Sequence, residues 1–161
     1  SCLYLLFLRQ KCGGNILIKY DCREAADPAP DKTEKWRDLI TAAFRARENS
    51  YSPYSRFRVG AALLCGNGEI YTGCNIENRA YGPTNCAERT AFFKAVSEGE
   101  RSFAAIAIVG GETDPVWCYP CGVCRQVMAE FCSPDEFLII CARSADEYRI
   151  FTLKELLPEM F

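Results

Sequence analysis

Two short segments about thirty residues apart carry the side chains best suited to chemistry: Asn85–Arg89 and Pro120–Arg125. Cys86, Cys121 and Cys124 offer three thiolates, and Glu88 offers a carboxylate, in a chain of 161 residues that contains no histidine. A structural zinc site normally takes four protein ligands, whereas three ligands leave one coordination position for water. Glu88 follows Cys86 by two residues, so its carboxylate could exchange protons with that water. These residue types at these spacings indicate a catalytic metal site.

Both cysteine segments are predicted to begin helices, with Asn85 as the cap of the first helix. Unpaired backbone N–H groups and the positive end of the helix dipole favour thiolate over thiol there. Cys121 and Cys124 are three residues apart and therefore share one helical face, so both can reach one ion. Three thiolates on Zn²⁺ leave one net negative charge. Arg89 is well placed to offset it by donating hydrogen bonds to the ligand sulfurs.

The cysteines also allow other interpretations. A structural zinc site could use Cys118 or Cys132 as fourth ligand, and Glu88 would then be an ordinary first-turn carboxylate. A redox Cys-x-x-Cys pair would leave Cys86 and Glu88 unexplained. A secreted disulfide framework fits poorly, because the eleven cysteines are odd in number and several lie in apolar strand-like or helix-like patterns. We therefore expect a reducing, cytoplasmic environment.

Composition limits the partners of this chain. The net charge is −2 and no run of Lys or Arg occurs, which argues against polymeric nucleic acid as a ligand. No apolar run reaches the eighteen residues that a membrane-spanning helix needs. The apolar stretch 3–8 has no basic residue before it and is too short for a signal peptide, so we do not interpret it as a targeting signal.

The remaining pattern predicts an α/β domain. Residues 1–31 end in a Pro-rich linker and are predicted to be an N-terminal extension, either disordered or an artefact of translation; the domain spans 32–161. Helical or strand-like periodicity predicts helices over 33–48, 85–97, 121–131 and 152–157, and strands over 58–65, 69–74, 103–109 and 136–142. Asn67-Gly68 predicts a hairpin between the first two strands. This order of elements indicates a layered domain with a mixed sheet.

Together these motifs closely resemble those of the free-nucleoside cytidine deaminases, of the small homotetrameric type that binds zinc with three cysteines. Beyond the cysteine segments, the likeness includes 52–63, 73–78 and the C-terminal stretch 152–161, and it runs from about residue 32 to the end. The resemblance implies a three-layer α/β/α sandwich with a mixed sheet of about five strands. It also implies one Zn²⁺ per subunit, a homotetramer and a place in pyrimidine salvage.

The resemblance assigns roles to the two cysteine segments. Cys86, Cys121 and Cys124 would bind zinc. Glu88 would take a proton from the attacking water, deliver one to N3 of cytosine and later protonate the leaving amine. The backbone N–H of Ala87 would hydrogen-bond the base.

Other residues would bind the nucleoside or a neighbouring subunit. Asn75 and Glu77 would hold the ribose 3′-hydroxyl, and Phe57 would pack against the nucleoside. Tyr81 resembles an inter-subunit residue close to the family's active site, and Phe161 resembles an aromatic residue lent to a neighbouring subunit.

Cytidine and deoxycytidine are therefore the expected substrates, and uridine, deoxyuridine and ammonia the products. A carboxylate such as Glu77 suits a sugar hydroxyl but repels a phosphate, which favours a free nucleoside. Blasticidin-type deaminases lack the segment Asn75–Asn78, and polynucleotide or nucleotide deaminases usually have histidine as first ligand. A zinc-stabilised scaffold without catalysis would more plausibly have lost Glu88 or a ligand. Three positions depart from the family pattern: Arg79, Pro83 and Tyr119.

Overall fold

The computed structural model describes residues 36–159. The segment 1–31, the predicted helix cap Thr33 and the C-terminal Phe161 lie outside these residues. The described part contains four helices and five strands, in the order α1 (Arg37–Arg47), β1 (Arg58–Cys65), β2 (Ile70–Cys74), α2 (Ala87–Ser97), β3 (Phe103–Gly111), α3 (Gly122–Phe131), β4 (Leu138–Ala142), β5 (Tyr148–Thr152) and α4 (Leu153–Leu156). Within 36–159, no helix combines the length and apolar composition that a bilayer crossing needs.

The strands form one mixed sheet in the order β2-β1-β3-β4-β5. β3 and β4 run parallel, and the other neighbouring pairs are antiparallel. The β1–β2 hairpin turns at the predicted Asn-Gly pair, where Gly68 has φ 91°. β5 was not predicted as an element, because it is short and all five of its residues are half-buried or exposed. The prediction of a mixed, about five-stranded α/β sheet is confirmed.

Alternate residues along β1, β3 and β4 face two separate cores, which gives the sandwich its three layers. Ala62, Ala107 and Ile140 face α1. Leu63, Ile108 and Ile139 face α2 and α3 on the other side. Because β3 and β4 are parallel, the connection through α3 crosses the sheet on one face. α2 and α3 therefore lie side by side, as the predicted metal site requires.

Two glycines let helices approach the sheet backbone closely. A Cβ on Gly60 of β1 would lie 2.1 Å from the carbonyl oxygen of Ala43 in α1 and 2.4 Å from the backbone nitrogen of Arg47. A Cβ on Gly73 of β2 would lie 2.4 Å from the carbonyl oxygen of Ala87. The second contact fixes the start of α2, where Cys86 lies, against β2.

We predict that Gly60→Ala destabilises the protein, because the added methyl group overlaps helix backbone that cannot rotate away. The expected loss in free energy of unfolding is about 1–3 kcal/mol, measured by thermal or denaturant unfolding. Gly82→Ala is the matched control, since a Cβ at Gly82 meets no atom within 4 Å. Equal stability of the two variants would contradict the proposed close contact between α1 and β1.

Candidate metal centre and active site

The starts of α2 and α3 bring three sulfur atoms together. The Sγ atoms of Cys86, Cys121 and Cys124 all lie within 4.8 Å of one another, at 3.8 Å for Cys86–Cys121 and 3.5 Å for Cys121–Cys124. Tetrahedral Zn²⁺ with Zn–S bonds of about 2.3 Å separates its sulfur ligands by roughly 3.8 Å. Within residues 36–159, neither Cys118 nor Cys132 belongs to this cluster. The sulfur cluster therefore fits a zinc ion with three protein ligands.

Local chain geometry directs these sulfurs. Cys86 and Cys121 are the N-cap residues of α2 and α3, with extended backbone angles, and their carbonyl oxygens accept the first helical hydrogen bonds from Thr90 and Arg125. Asn85, predicted as the cap of α2, instead pairs its backbone with Ile76. The cap is thus one residue later than predicted. Both N-cap thiols lie at positive helix ends, which stabilise thiolates.

Arg89 supplies a positive charge to the sulfur cluster. Its Nη2 lies 3.6 Å from the Cys86 Sγ and donates to the carbonyl oxygen of Thr84 at 3.3 Å. Its buried Nε has no hydrogen-bond partner among residues 36–159. A hydrogen bond from the Cys124 thiol, followed by Arg89, lowers the pKa of Cys86 to about 5. The same contact with Cys86, together with burial, raises the pKa of Cys124. Arg89 and the neighbouring thiols therefore favour an ionised sulfur at Cys86.

Glu88 is buried beside the sulfur cluster. Its side chain and backbone are only 5% exposed, and it lines an open cavity of about 160 Å³ together with Cys86 and Cys121. Burial raises the pKa of Glu88 to about 7, and the neighbouring Cys86 thiolate adds to this shift. A carboxyl group with this pKa can both accept and donate a proton near neutral pH.

Asn75 and Glu77, which follow β2 in the chain, line the same cavity. The Asn75 Oδ1 accepts from the backbone N–H of Val59 at 2.8 Å, and its Nδ2 donates to the carbonyl oxygen of Phe57 at 2.8 Å. One N–H of the amide remains for a ligand. The Glu77 carboxylate accepts from the backbone N–H of Tyr54 at 2.8 Å. Both side chains are therefore fixed in position by the backbone before any substrate binds.

Of the other predicted site residues, only Ala87 lines this cavity among those that the structure describes. It lies at the first turn of α2. The Phe57 ring lies near Gly110: a Cβ at Gly110 would be 3.0 Å from the Phe57 Cε1 and 2.7 Å from the Cys118 Sγ. Phe57 does not belong to the cavity lining. Tyr81 is 90% exposed and lines a second cavity, which shares Glu77 with the first.

Five residues that were not assigned to the site from the sequence also line the first cavity: Val59, Thr84, Asn85, Cys118 and Tyr119. Burial raises the pKa of Cys118 to about 12, so its thiol stays protonated beside Glu88. The Tyr119 hydroxyl accepts from Arg149 at 2.8 Å, and its ring packs edge-on against Phe151. Cys118 and Tyr119 could have been assigned to the cavity because they lie two or three residues before Cys121.

Comparison with known proteins agrees with this geometry. The family described as "Cytidine and deoxycytidylate deaminase zinc-binding region" matches residues 33–141. The cytidine deaminase of Halalkalibacterium halodurans is 54% identical over 123 residues, which cover 76% of this chain and 91% of that protein. The protein of the same name from Sporosarcina psychrophila is 64% identical over 95 residues, 59% of this chain and 68% of the relative.

Solved structures give the same result. The crystal structure of cytidine deaminase from Burkholderia pseudomallei has a TM-score of 0.70 and 47% identity, and the match covers 77% of this chain and 97% of that one. The structure of the Mycobacterium tuberculosis protein of that name has a TM-score of 0.68 and 40% identity, with 78% and 96% covered.

We predict that Cys121→Ser lowers the zinc content of the purified protein well below one ion per chain, because serine is a poor ligand for Zn²⁺ beside two thiolates. Zinc is measured by elemental analysis, and thermal unfolding is followed with and without a chelator. A zinc concentration a thousand times the Kd stabilises the folded state by about 4 kcal/mol. The thermal unfolding midpoint of the wild-type protein should therefore fall when the chelator removes zinc and recover when Zn²⁺ is added.

Cys74→Ser is the matched control for this experiment. Cys74 lies outside the sulfur cluster, and its thiol donates to the carbonyl oxygen of Asn49, which a serine hydroxyl can also do. This variant should retain zinc and its response to the chelator. Equal zinc content in the Cys121→Ser and Cys74→Ser variants would show that the metal binds elsewhere.

Proposed function

Because this chain belongs to the cytidine and deoxycytidylate deaminase family, we propose that its cavity binds a free cytosine nucleoside and that Glu88 and the sulfur cluster act on it. The reaction is hydrolytic deamination: water replaces the amino group at C4 of cytidine or deoxycytidine and gives the corresponding uridine and ammonia. The observation that carries this proposal is the buried Glu88 carboxyl group, which lines the same cavity as two of the three clustered cysteines.

Cys86, Cys121 and Cys124 would hold Zn²⁺ in this proposal. When bound, zinc lowers the pKa of a water molecule towards neutrality and so supplies a hydroxide nucleophile. Arg89 and the two helix N-termini balance the negative charge of three thiolates. Without that balance, the sulfur ligands would weaken the acidifying effect of the metal.

Glu88 would move the protons of the reaction. It accepts one proton from the attacking water and donates it to N3 of the pyrimidine ring. It then accepts the second proton from the hydroxyl that this water has formed on C4, and donates it to the amino group, which leaves as ammonia. Its pKa of about 7 suits a residue that must act as base and then as acid. The backbone N–H of Ala87, one residue earlier in the cavity wall, would orient the base by a hydrogen bond.

Asn75 and Glu77 would bind the sugar. The remaining N–H of the Asn75 amide and the Glu77 carboxylate can both bond a ribose 3′-hydroxyl, and their bonds to the backbone hold them ready for it. A carboxylate at this position disfavours a 5′-phosphorylated substrate by charge repulsion. Phe57 lies close to Gly110, as does the cavity residue Cys118, and would act through the packing of this region.

We further propose that the protein works as a homotetramer in the cytoplasm, in pyrimidine salvage. Support for assembly comes from Tyr81, which is 90% exposed beside the second cavity, and from Tyr54 at 57% exposure in the same lining. Aromatic side chains this exposed next to a substrate cavity suit a contact with a neighbouring subunit. Phe161, at the end of the chain, remains the proposed aromatic residue lent to a neighbour.

We predict that Glu88→Gln abolishes most turnover of cytidine and deoxycytidine while zinc stays bound. An amide cannot exchange the protons, and loss of general acid–base catalysis lowers kcat by about 10²–10⁴-fold. The assay follows the loss of cytosine absorbance, with zinc quantified on the same sample. Glu130→Gln, an exposed carboxylate on α3, is the control and should leave kcat unchanged. Near-normal turnover by Glu88→Gln would exclude the proposed proton transfer.

We predict that Glu77→Gln lowers kcat/KM for cytidine about tenfold or more, because a charge-assisted bond to the sugar is lost. The same change should reduce the preference for cytidine over cytidine 5′-monophosphate, since it removes a negative charge. The ratio of the two kcat/KM values is the deciding measurement: damage to the turn at Tyr54 would affect both substrates and leave the ratio unchanged. An unchanged ratio would therefore argue against electrostatic exclusion of nucleotides.

A further inference from the structure

We propose that Arg125 is a positioning residue that joins the loop carrying Cys121 to the C-terminal helix α4 and thereby keeps Cys121 in place for the metal. This inference rests on the proposed function only through the bound zinc. Arg125 follows the second cysteine of the Cys-x-x-Cys pair directly and does not belong to the cavity lining.

The Arg125 side chain bonds two backbone carbonyl groups that lie far apart in sequence. Its Nε donates to the Pro120 carbonyl oxygen at 2.8 Å, and its Nη1 donates to the Leu156 carbonyl oxygen at 2.6 Å. The planar guanidinium fixes the directions of both N–H groups, so the two carbonyls are held in one arrangement. Pro120 is fully buried and immediately precedes Cys121. Arg125 therefore fixes the peptide unit from which the Cys121 side chain is directed.

The position of Arg125 in its helix supports a specific role. A positive charge in the first turns of a helix opposes the helix dipole, which disfavours arginine there. Arg89 at the start of α2 has the same unfavourable position, but its guanidinium lies 3.6 Å from the Cys86 sulfur, whose negative charge it offsets. Among residues 36–159, Arg125 makes no hydrogen bond to a sulfur that would explain an arginine at this position; its side chain bonds backbone carbonyl oxygens. Its side chain turns back towards the helix N-terminus, as helical side chains do, and reaches Pro120.

α4 is a firm anchor for this link although it has only four residues. Thr152 and Glu155 form a capping box at its start, and the Leu153 side chain is fully buried. The Leu153 N–H also donates to the carbonyl oxygen of Phe137, the residue just before β4. The last carbonyls of a helix lack helical partners, and Arg125 satisfies that of Leu156. The Arg125 side chain therefore links the position of α4 to the position of the Pro120 carbonyl group.

Arg125→Gln tests this inference by zinc release rather than by turnover. The zinc-loaded variant is mixed with the chromogenic chelator pyridylazoresorcinol, and the rate of zinc transfer is compared with wild type. Loss of a side chain that orients a metal ligand costs about 10–100-fold in metal retention, so release should accelerate by that factor. Arg125→Lys should release zinc at a rate between those of wild type and Arg125→Gln. An ammonium group can bond one of the two carbonyl oxygens but cannot bond both in the geometry of the planar guanidinium.

Arg101→Gln is the matched control. Arg101 also donates to two backbone carbonyls, those of Val96 and Glu100 at 2.7 Å each, at the other end of α2. Its loss should leave zinc release at the wild-type rate. Equal release from folded Arg125→Lys, Arg125→Gln and wild type would overturn the inference. A wild-type chain that binds no zinc would instead overturn the metal assignment of the proposed function, and this inference with it.

A double-mutant cycle tests the connection to α4. Thr152→Val removes the capping hydroxyl and loosens α4, so it should speed zinc release when Arg125 is present. In the Arg125→Gln background the same change should add no further acceleration, because the link is already broken. Fully additive effects, or no effect of Thr152→Val alone, would show that α4 does not act on the metal loop through Arg125.

Discussion

Repulsion among three neighbouring thiolates is the constraint on which this structure depends. The sulfurs of Cys86, Cys121 and Cys124 lie within 4.8 Å of one another, and like charges at this distance oppose ionisation. A metal ion offsets much of that repulsion, but the protein must also make the ligands available as thiolates. It does so with the starts of α2 and α3 and with Arg89. In a chain without histidine, no neutral ligand reduces this demand.

The fold satisfies this constraint by its topology. Parallel pairing of β3 with β4 requires a crossover, and the crossover contains α3 on the same sheet face as α2. Both helix starts then meet at the carboxyl end of β3. Gly73 lets α2 approach β2 more closely than any side chain would permit, so the start of α2 is fixed relative to the sheet. The metal site is thus located by backbone packing that the rest of the core enforces.

Much of this arrangement could be predicted from the sequence. The bounds of β1 were predicted as found, and the three cysteines that were predicted to bind zinc lie together as expected. For Cys121 and Cys124 the signal was their spacing of three residues, which places both on one helical face. β5 was missed, since an edge strand whose five residues are all exposed or half-buried leaves little periodic signal. Cys118 and Tyr119 were not assigned to the cavity wall, because they lie in a loop whose path depends on distant contacts such as that between Tyr119 and Arg149.

Those distant contacts explain how a cavity built largely from loops can hold a defined shape. Arg47 is buried and donates to the carbonyl oxygens of Gly111 and Thr113, at 2.9 Å each, where β3 passes into the loop before Cys121. Asn75 bonds the backbone on both sides of Arg58, and Arg125 bonds that of Pro120. Each of these side chains bonds backbone groups in a loop or at a strand end. A buried carbonyl without a partner is costly, so a loop held in this way resists alternative conformations. Polar residues around the cavity therefore have two roles: a few are proposed to contact the substrate, and the others fix the backbone from which those few extend.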